Sequence, residues 1–240
     1  MIHTDFSMSS APPSVAKGLQ WLNADTAFTP KAFDDPSNHG FIAVNLIERS
    51  IALLAPELVG DFLDVGCGAQ PYLSYFGHVA SHKACDFDPQ RGDVDFACPA
   101  DKVPLPDASV DSILCTEVLE HVPDPMSVWC EFFRLLRPGG RVLLTTPMYW
   151  PPHELPYDFY RYPEHGLRRL IAESGFELLA ILPRGGPWAM WGQVTLHVWQ
   201  RFFVFAWQRS LWSRLILAVD RKTKAPRITM GWTVLARKPV

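Results

Sequence analysis

The stretch Asp61–Tyr72, DFLDVGCGAQPY, constrains the fold of this chain more than any other. Phe62, Leu63 and Val65 form a short apolar run of the kind buried in a parallel sheet. Gly66 and Gly68 follow at once, so the backbone can turn sharply and leave room for a ligand against it. A dinucleotide loop, G-x-G-x-x-G, needs a third glycine at position 71, where Pro71 stands. Asp64, two residues before the first glycine, is also ill placed in a loop that must receive a pyrophosphate. An acid there suits a ligand carrying positive charge, such as an amino-acid ammonium.

Around this turn the sequence alternates between two periodicities. Phe41, Val44, Leu46, Ile47, Ile51 and Leu54 recur at helical spacing and predict a helix over about 39–55. Strands are expected at 61–66, 82–87, 94–97, 110–116, 141–146, 176–182 and 228–237. A helical turn is expected at 118–122. A helix through Phe132, Phe133, Leu135 and Leu136 should stop at Pro138–Gly139–Gly140, and another at Gly175. Strands separated by helical crossovers imply an α/β fold, a doubly wound and mostly parallel sheet. In this reading residues 1–37, with Trp21, Phe28 and Phe33, form an N-terminal arm. Residues 38–240 form the domain, with a helical insertion at about 187–220.

A chain of 240 residues, 48% hydrophobic and 20% charged, is long enough for one well-cored domain. Its net charge of −3 offers no basic footprint for nucleic acid. Cys67, Cys85, Cys98, Cys115 and Cys130 contain no C-x-x-C pair and read as reduced thiols of a cytoplasmic protein. The N-terminus has neither a basic start nor an apolar core of the secretory type. Asp86 lies about twenty residues past the glycine turn, at the tip of the second strand, where an acid can bind a ribose diol.

Taken as a set, LDVGCG, CDFD, LPDASVDSILCTEVLEHVPDP, LLRPGGRVLLTTP and ESGFELL resemble the class I S-adenosylmethionine-dependent methyltransferases over about 40–183 and the final strand. The resemblance implies a seven-stranded Rossmann-like sheet whose last strand is antiparallel, with S-adenosylmethionine across the carboxyl ends of strands one, two and four. By position, it implies that Asp64, Gly66, Cys67 and Gly68 border the methionine part. Asp86 takes the ribose, Phe87 packs on adenine, Asp101 and Lys102 lie at the adenine edge, and Glu117 faces the cofactor or the substrate mouth. The chain departs from the family pattern at Gln70, often glycine, and at Pro99, where an acid is common. The segment TTPMYWPPHELPYDFYRYPEHGLRRL is similar to a subgroup linked to glycan and cell-envelope assembly. The implied activity is methyl transfer to oxygen on a small molecule or a glycan or lipid-linked precursor. The alternatives are a non-catalytic cofactor-binding partner protein and a nicotinamide-dependent reductase, the latter opposed by Asp64 and Pro71.

An oxygen acceptor needs a base near its proton. The loop after strand five supplies His153, Glu154 and Asp158 as catalytic candidates, His153 foremost because its ordinary pKa lies nearest neutrality. Tyr149, Tyr157 and Arg161 are substrate candidates, although Arg161 can equally pair with Asp158. Glu117, Glu120 and His121 share spacing that could ligate a cation, as in some ubiquinone-biosynthesis O-methyltransferases that they resemble; the expectation here is that no metal is bound. The insertion holds Trp188, Trp191, Trp199, Trp207 and Trp212, too often interrupted by Gln193, His197, Arg201, Gln208, Arg209 and Arg214 to span a bilayer. Residues 188–219 are instead expected to offer peripheral contact at the inner membrane face, a lid or a dimer face.

Overall fold

The computed structural model describes residues 35, 37–199, 202, 205–223 and 228–240, so the expected N-terminal arm lies almost wholly outside the described residues. Seven strands form one sheet: β1 (Asp61–Val65), β2 (Ser81–Asp86), β3 (Phe96–Ala97), β4 (Val110–Thr116), β5 (Leu136–Pro147), β6 (Glu177–Arg184) and β7 (Gly231–Arg237). Their order is β3-β2-β1-β4-β5-β7-β6. β7 runs antiparallel to both neighbours and the remaining pairs are parallel. The strand order reverses between β1 and β4, which opens a crevice at their carboxyl ends.

Helices α1 (Phe41–Leu54), α2 (Pro125–Leu135) and α3 (Glu164–Glu173) cover the sheet. α2 starts where the sequence provides both a cap and a pre-set φ: the Asp124 carboxylate accepts the Met126 amide at 3.1 Å, and Pro125 occupies the first turn. It buries Val128, Trp129, Phe132 and Leu135 against one sheet face, and Trp129 meets Phe176 edge-on at 5.3 Å. On the opposite face Ile47, Ile51 and Leu54 of α1 pack with Phe62, Phe76, Leu114 and Leu143. Truncation of the fully buried Trp129 to Ala is expected to lower stability by about 3–5 kcal/mol, read by chemical denaturation; a loss under 1 kcal/mol would contradict its place in the core.

Several boundaries differ from expectation, β3 shortening to Phe96–Ala97 and β7 starting only at Gly231, and the start of β5 differs most. β5 begins at Leu136, which pairs with Val110, and the chain passes Pro138–Gly139–Gly140 within the strand, before regular pairing resumes at Arg141–Ser112. The glycines permit an irregularity in the ladder here; they do not end a helix, which has stopped at Leu135. Beyond β6 the insertion forms two helices, α4 (Pro187–Val198) and α5 (Ala206–Asp220). They touch closely at Gly192, where a Cβ would lie 2.5 Å from Ile216. Among the described residues no helix is long and apolar enough to cross a membrane.

Candidate active site

The glycine turn sits at the carboxyl end of β1 and is held by β2. Gly66 and Cys67 donate their amides to the Cys85 carbonyl at 2.8 and 3.1 Å, and the Gly68 amide donates to the Asp86 carboxylate at 2.8 Å. Gly66 has φ +67°, and a side chain there would strike Val118 at 2.2 Å. Above Gly68, by contrast, a Cβ would meet nothing within 4 Å. Gln70 also adopts positive φ, +53°, and its amide group holds the Asp93 carbonyl. Gly92 approaches the turn from the next loop, so closely that a Cβ would overlap the Gly68 carbonyl.

Asp64 is buried on β1, and its Oδ1 has no hydrogen-bond partner. Burial, with the nearby Asp86 charge second, raises its carboxyl to about 7. The same surroundings push the Cys67 thiol up to about 12: burial first, then Asp64 and Asp86. A thiol so disfavoured as thiolate is no nucleophile. An orphaned carboxylate beside an open glycine turn is what a ligand with an ammonium group would complete, so the residues present fit the methionine end of S-adenosylmethionine. Asp86 accepts amides from Gly68 and Asp88 and so shapes the turn itself. Phe87 stands exposed beside it, while Asp101 accepts the Ser127 hydroxyl at 3.0 Å. Lys102 is exposed nearby.

Glu117 follows β4 in a left-handed conformation, φ +53°, a strain that tends to persist where surroundings over-determine a residue. Its amide donates to Thr145, and its carboxylate pairs with Arg184 at 2.8 Å. Arg184 ends β6, is buried, and also donates to the Thr146 carbonyl. A crevice beside this pair is lined by Tyr149, Trp150, Ile47 and Met230 among others. A lone arginine at a strand end carries no sequence signal, and Arg184 was not legible as a site residue.

The loop after β5 is stitched to the turn after β4. The Phe159 and Tyr160 amides donate to the Glu120 carbonyl at 2.9 and 3.3 Å, and the Tyr162 hydroxyl to Leu119 at 2.8 Å. This brings His153 against His121, their rings edge-on at 4.6 Å. Asp158 lies 3.6 Å from His153 Nδ1 and accepts that residue's amide. Glu154, again at positive φ, reaches Arg91 across the mouth at 2.9 Å. Arg161 is not placed as a substrate group. Its guanidinium grips Asp158 at 2.6 and 3.0 Å and the carbonyls of Trp150, Pro151 and Tyr160, so its donors are all engaged in bracing the loop. That pairing holds the Asp158 carboxyl far below its ordinary range and makes it a poor base. The Tyr157 ring is exposed and its carbonyl serves His121.

Residues 63–144 match the model of the methyltransferase domain family. A ubiquinone biosynthesis O-methyltransferase of Xylella fastidiosa is 32% identical over 161 residues, which cover 58% of this chain and 64% of that one. A probable S-adenosylmethionine-dependent methyltransferase of Mycolicibacterium smegmatis is 37% identical over 83 residues, 32% of each chain. Residues 63–144 thus match a methyltransferase domain, and the sheet around them has the Rossmann-like fold of S-adenosylmethionine-dependent methyltransferases. Among solved structures, the 1,6-didemethyltoxoflavin N1-methyltransferase of Burkholderia thailandensis, with S-adenosylhomocysteine bound, aligns at TM-score 0.52 and 18% identity over 80% of this chain and 78% of that one, a likeness of fold. The chain spans 32% to 64% of the length of these curated relatives. The matched span of the methyltransferase domain, 63–144, contains Asp64, the glycine turn, Asp86 and Glu117, but ends before the loop that carries His153.

Proposed function

We propose that this protein transfers a methyl group from S-adenosylmethionine to a hydroxyl of a small-molecule, glycan or lipid-linked acceptor. When bound, that cofactor supplies a methyl on a sulfonium whose displacement releases neutral sulfur. In this reading Asp64 holds the cofactor's ammonium, Asp86 its ribose, and Phe87, Asp101 and Lys102 flank the adenine. The observation that carries the oxygen reading is the cluster of His121, His153 and Glu154. It joins two loops at the carboxyl edge of the sheet, beside the acidic glycine turn. An amine acceptor can arrive unprotonated, whereas a hydroxyl needs a group to relieve it of its proton.

The acceptor hydroxyl gives up that proton at this cluster, with the His153 backbone held by Asp158 and Tyr149 flanking the mouth. His153→Ala is expected to slow turnover by at least about 100-fold while leaving S-adenosylhomocysteine affinity within a few-fold. Product formation is followed by mass spectrometry as a gain of one CH₂, in extracts supplied with the protein and cofactor. Unchanged turnover would remove the cluster from the reaction. Asp158→Ala should also slow turnover, with a fall in stability because Arg161 loses its anchor.

The lipid-linked arm rests on the α4–α5 hairpin. Trp188, Trp191, Trp199, Trp207, Leu211 and Leu215 are all exposed there. Between 187 and 222 the sole acid is Asp220, which is buried, against Arg201, Arg209, Arg214, Arg221 and Lys222. Exposed tryptophans among cations suit the interface of an anionic bilayer. The hairpin reaches the acceptor side through His197, whose ring meets Trp150 at 4.9 Å. Co-sedimentation with phosphatidylglycerol vesicles is expected, and the triple change Trp207→Ser, Leu211→Ser, Leu215→Ser should weaken it at least tenfold. No sedimentation of the unmodified protein would leave only soluble acceptors.

A further inference from the structure

We infer that the crevice beside the Glu117–Arg184 pair seats the methyl acceptor, and that it takes a flat, uncharged ring whose edge sets a hydrogen-bond donor next to an acceptor, as in a lactam. Helix α1 contributes Leu46 and Ile47 to the crevice, and the loop after β5 contributes Tyr149 and Trp150; Met230, Glu117 and Arg184 also line it. With its mouth it encloses about 240 Å³, less than the about 300–1,000 Å³ of sites for larger ligands, which suits a single ring. Glu117 immediately precedes Val118, the side chain that closes on Gly66 of the glycine turn, and Trp150 lies three residues before His153. The crevice thus adjoins both the cofactor cradle and the proton-accepting loop.

Two observations point to a partner that the protein does not itself supply. Arg184 is only 5% exposed, yet of its three nitrogens only Nη2 is engaged, with the Thr146 carbonyl and Glu117. Nε is buried without an acceptor, and among the described residues Nη1 has none either. Buried donors of this kind are normally completed by a partner. Second, Glu117 Oε1 touches Nη2 at 2.8 Å but makes no directed hydrogen bond, so the carboxylate keeps lone pairs to offer. The guanidinium is also fixed in place: Gly231 faces Arg184 in the ladder, and a Cβ there would overlap Nη2.

The charges of the pair cancel, which selects against ions. An anion drawn to Arg184 would meet Glu117 at once, and a cation drawn to Glu117 would meet Arg184. A neutral N–H or O–H beside a carbonyl satisfies both, donating to Glu117 and accepting from Arg184. The rest of the lining is aliphatic and aromatic, so the body of the ring is apolar. The hydroxyl to be methylated stands elsewhere on the same acceptor. That role rests on the methyl-transfer reading; binding of such an edge in the crevice does not.

The probe is 2-pyridone, a neutral ring with N–H beside C=O, titrated into the full chain with and without S-adenosylhomocysteine and followed by saturation-transfer NMR. Saturable millimolar binding is expected. N-methyl-2-pyridone, which lacks the donor, should bind at least about fivefold more weakly, and benzoate no more tightly than 2-pyridone. Arg184→Lys keeps a cation opposite Glu117 but loses the planar fork, and should weaken 2-pyridone at least about fivefold while S-adenosylhomocysteine affinity holds within a few-fold. Should that variant not fold, Ala43→Leu, which fills the crevice from α1, decides by the same loss. No saturable binding, equal binding of the two pyridones, tighter binding of benzoate, or parental affinity in the deciding variant overturns the site. 2-Pyridone bound by a protein that ignores S-adenosylhomocysteine would defeat the methyl-transfer reading alone and leave the crevice's preference standing.

Discussion

Asp64→Asn should abolish most cofactor affinity, by at least about 100-fold, because it removes the one buried charge placed to meet the ligand's ammonium. The same residue sets a pH dependence whose sign can be worked out. Its carboxyl titrates at about 7 in the folded protein, while the ligand needs it ionised. Below pH 7 the proton must leave before binding, so affinity for S-adenosylhomocysteine should fall by up to tenfold per unit. Above pH 7 this group adds no further change. Calorimetric titration from pH 5.5 to 8.5 checks it, and the Asn variant should be flat over that range. A wild-type profile equally flat would show that the ligand's cation is met elsewhere.

Stability without cofactor runs the opposite way. The folded pKa is raised above the unfolded value near 3.9, so Asp64 favours folding fully below pH 4 and that contribution is lost as pH rises through 7. A shift of about three units corresponds to up to about 4 kcal/mol at pH 8. Asp64→Asn should therefore melt higher than the parent at pH 8 while failing to bind cofactor. Gain of stability with loss of binding is the signature of a residue kept for its ligand.

Arg184→Ala should be among the most destabilising single changes in the sheet. It leaves Glu117 without its 2.8 Å partner at the crevice and removes a donor from the Thr146 carbonyl. Breaking a buried pair costs about 3–5 kcal/mol; Glu117 keeps about a quarter of its exposure, 28%, which places the loss near 3. For a domain of this size that is a fall in Tm of about 6–12 °C. Glu117→Gln, which keeps a hydrogen-bonding group opposite Arg184, should lose less. Turnover of that variant, measured well below its melting temperature, separates a structural Glu117 from one that also faces the acceptor. A melting temperature unchanged in Arg184→Ala would show that the pair is not holding the strand ends.

The fold was legible because its signals are local. The apolar runs of β1, β4 and β5 are bounded by glycines, prolines or acids, and the glycine turn needs no distant partner to be recognised. The helix–strand junction at Leu135–Leu136 was less so, because Pro138–Gly139–Gly140 reads as a stop when it is a kink inside a strand. Asp64 could be singled out by position in its motif, but its missing hydrogen bond could not. The acceptor side was legible in composition and not in pairing. His153 and Asp158 stood out as a polar cluster on one loop, yet Arg161 has five donors and nothing local says that all of them turn inward. Glu120 lies in a run of acids that looks solvated. Its burial arises from a loop some forty residues later folding over it, and such contacts leave no periodicity behind. Arg184 and Gly92 are single residues whose neighbours come from far along the chain.

The register at the far edge of the sheet has a consequence for how this protein can change. The chain leaves β6 at Arg184 and returns to β7 at Gly231, and these two residues face each other in the ladder. The α4–α5 hairpin therefore begins and ends at one point, and the sheet already fixes the distance between its ends. Its length and surface can vary at little entropic cost to the strands beneath, since closure is provided by the β6–β7 pair. The glycine turn, at the opposite side of β1, is insulated from such variation. What does couple the hairpin to the rest is the layer where Ala189, Leu196 and Ile216 meet Phe41, Ile42 and Leu46 of α1. Divergence of acceptor choice is thus expected in two places at once, the outer face of the hairpin and the first turns of α1, while the cofactor cradle stays as it is.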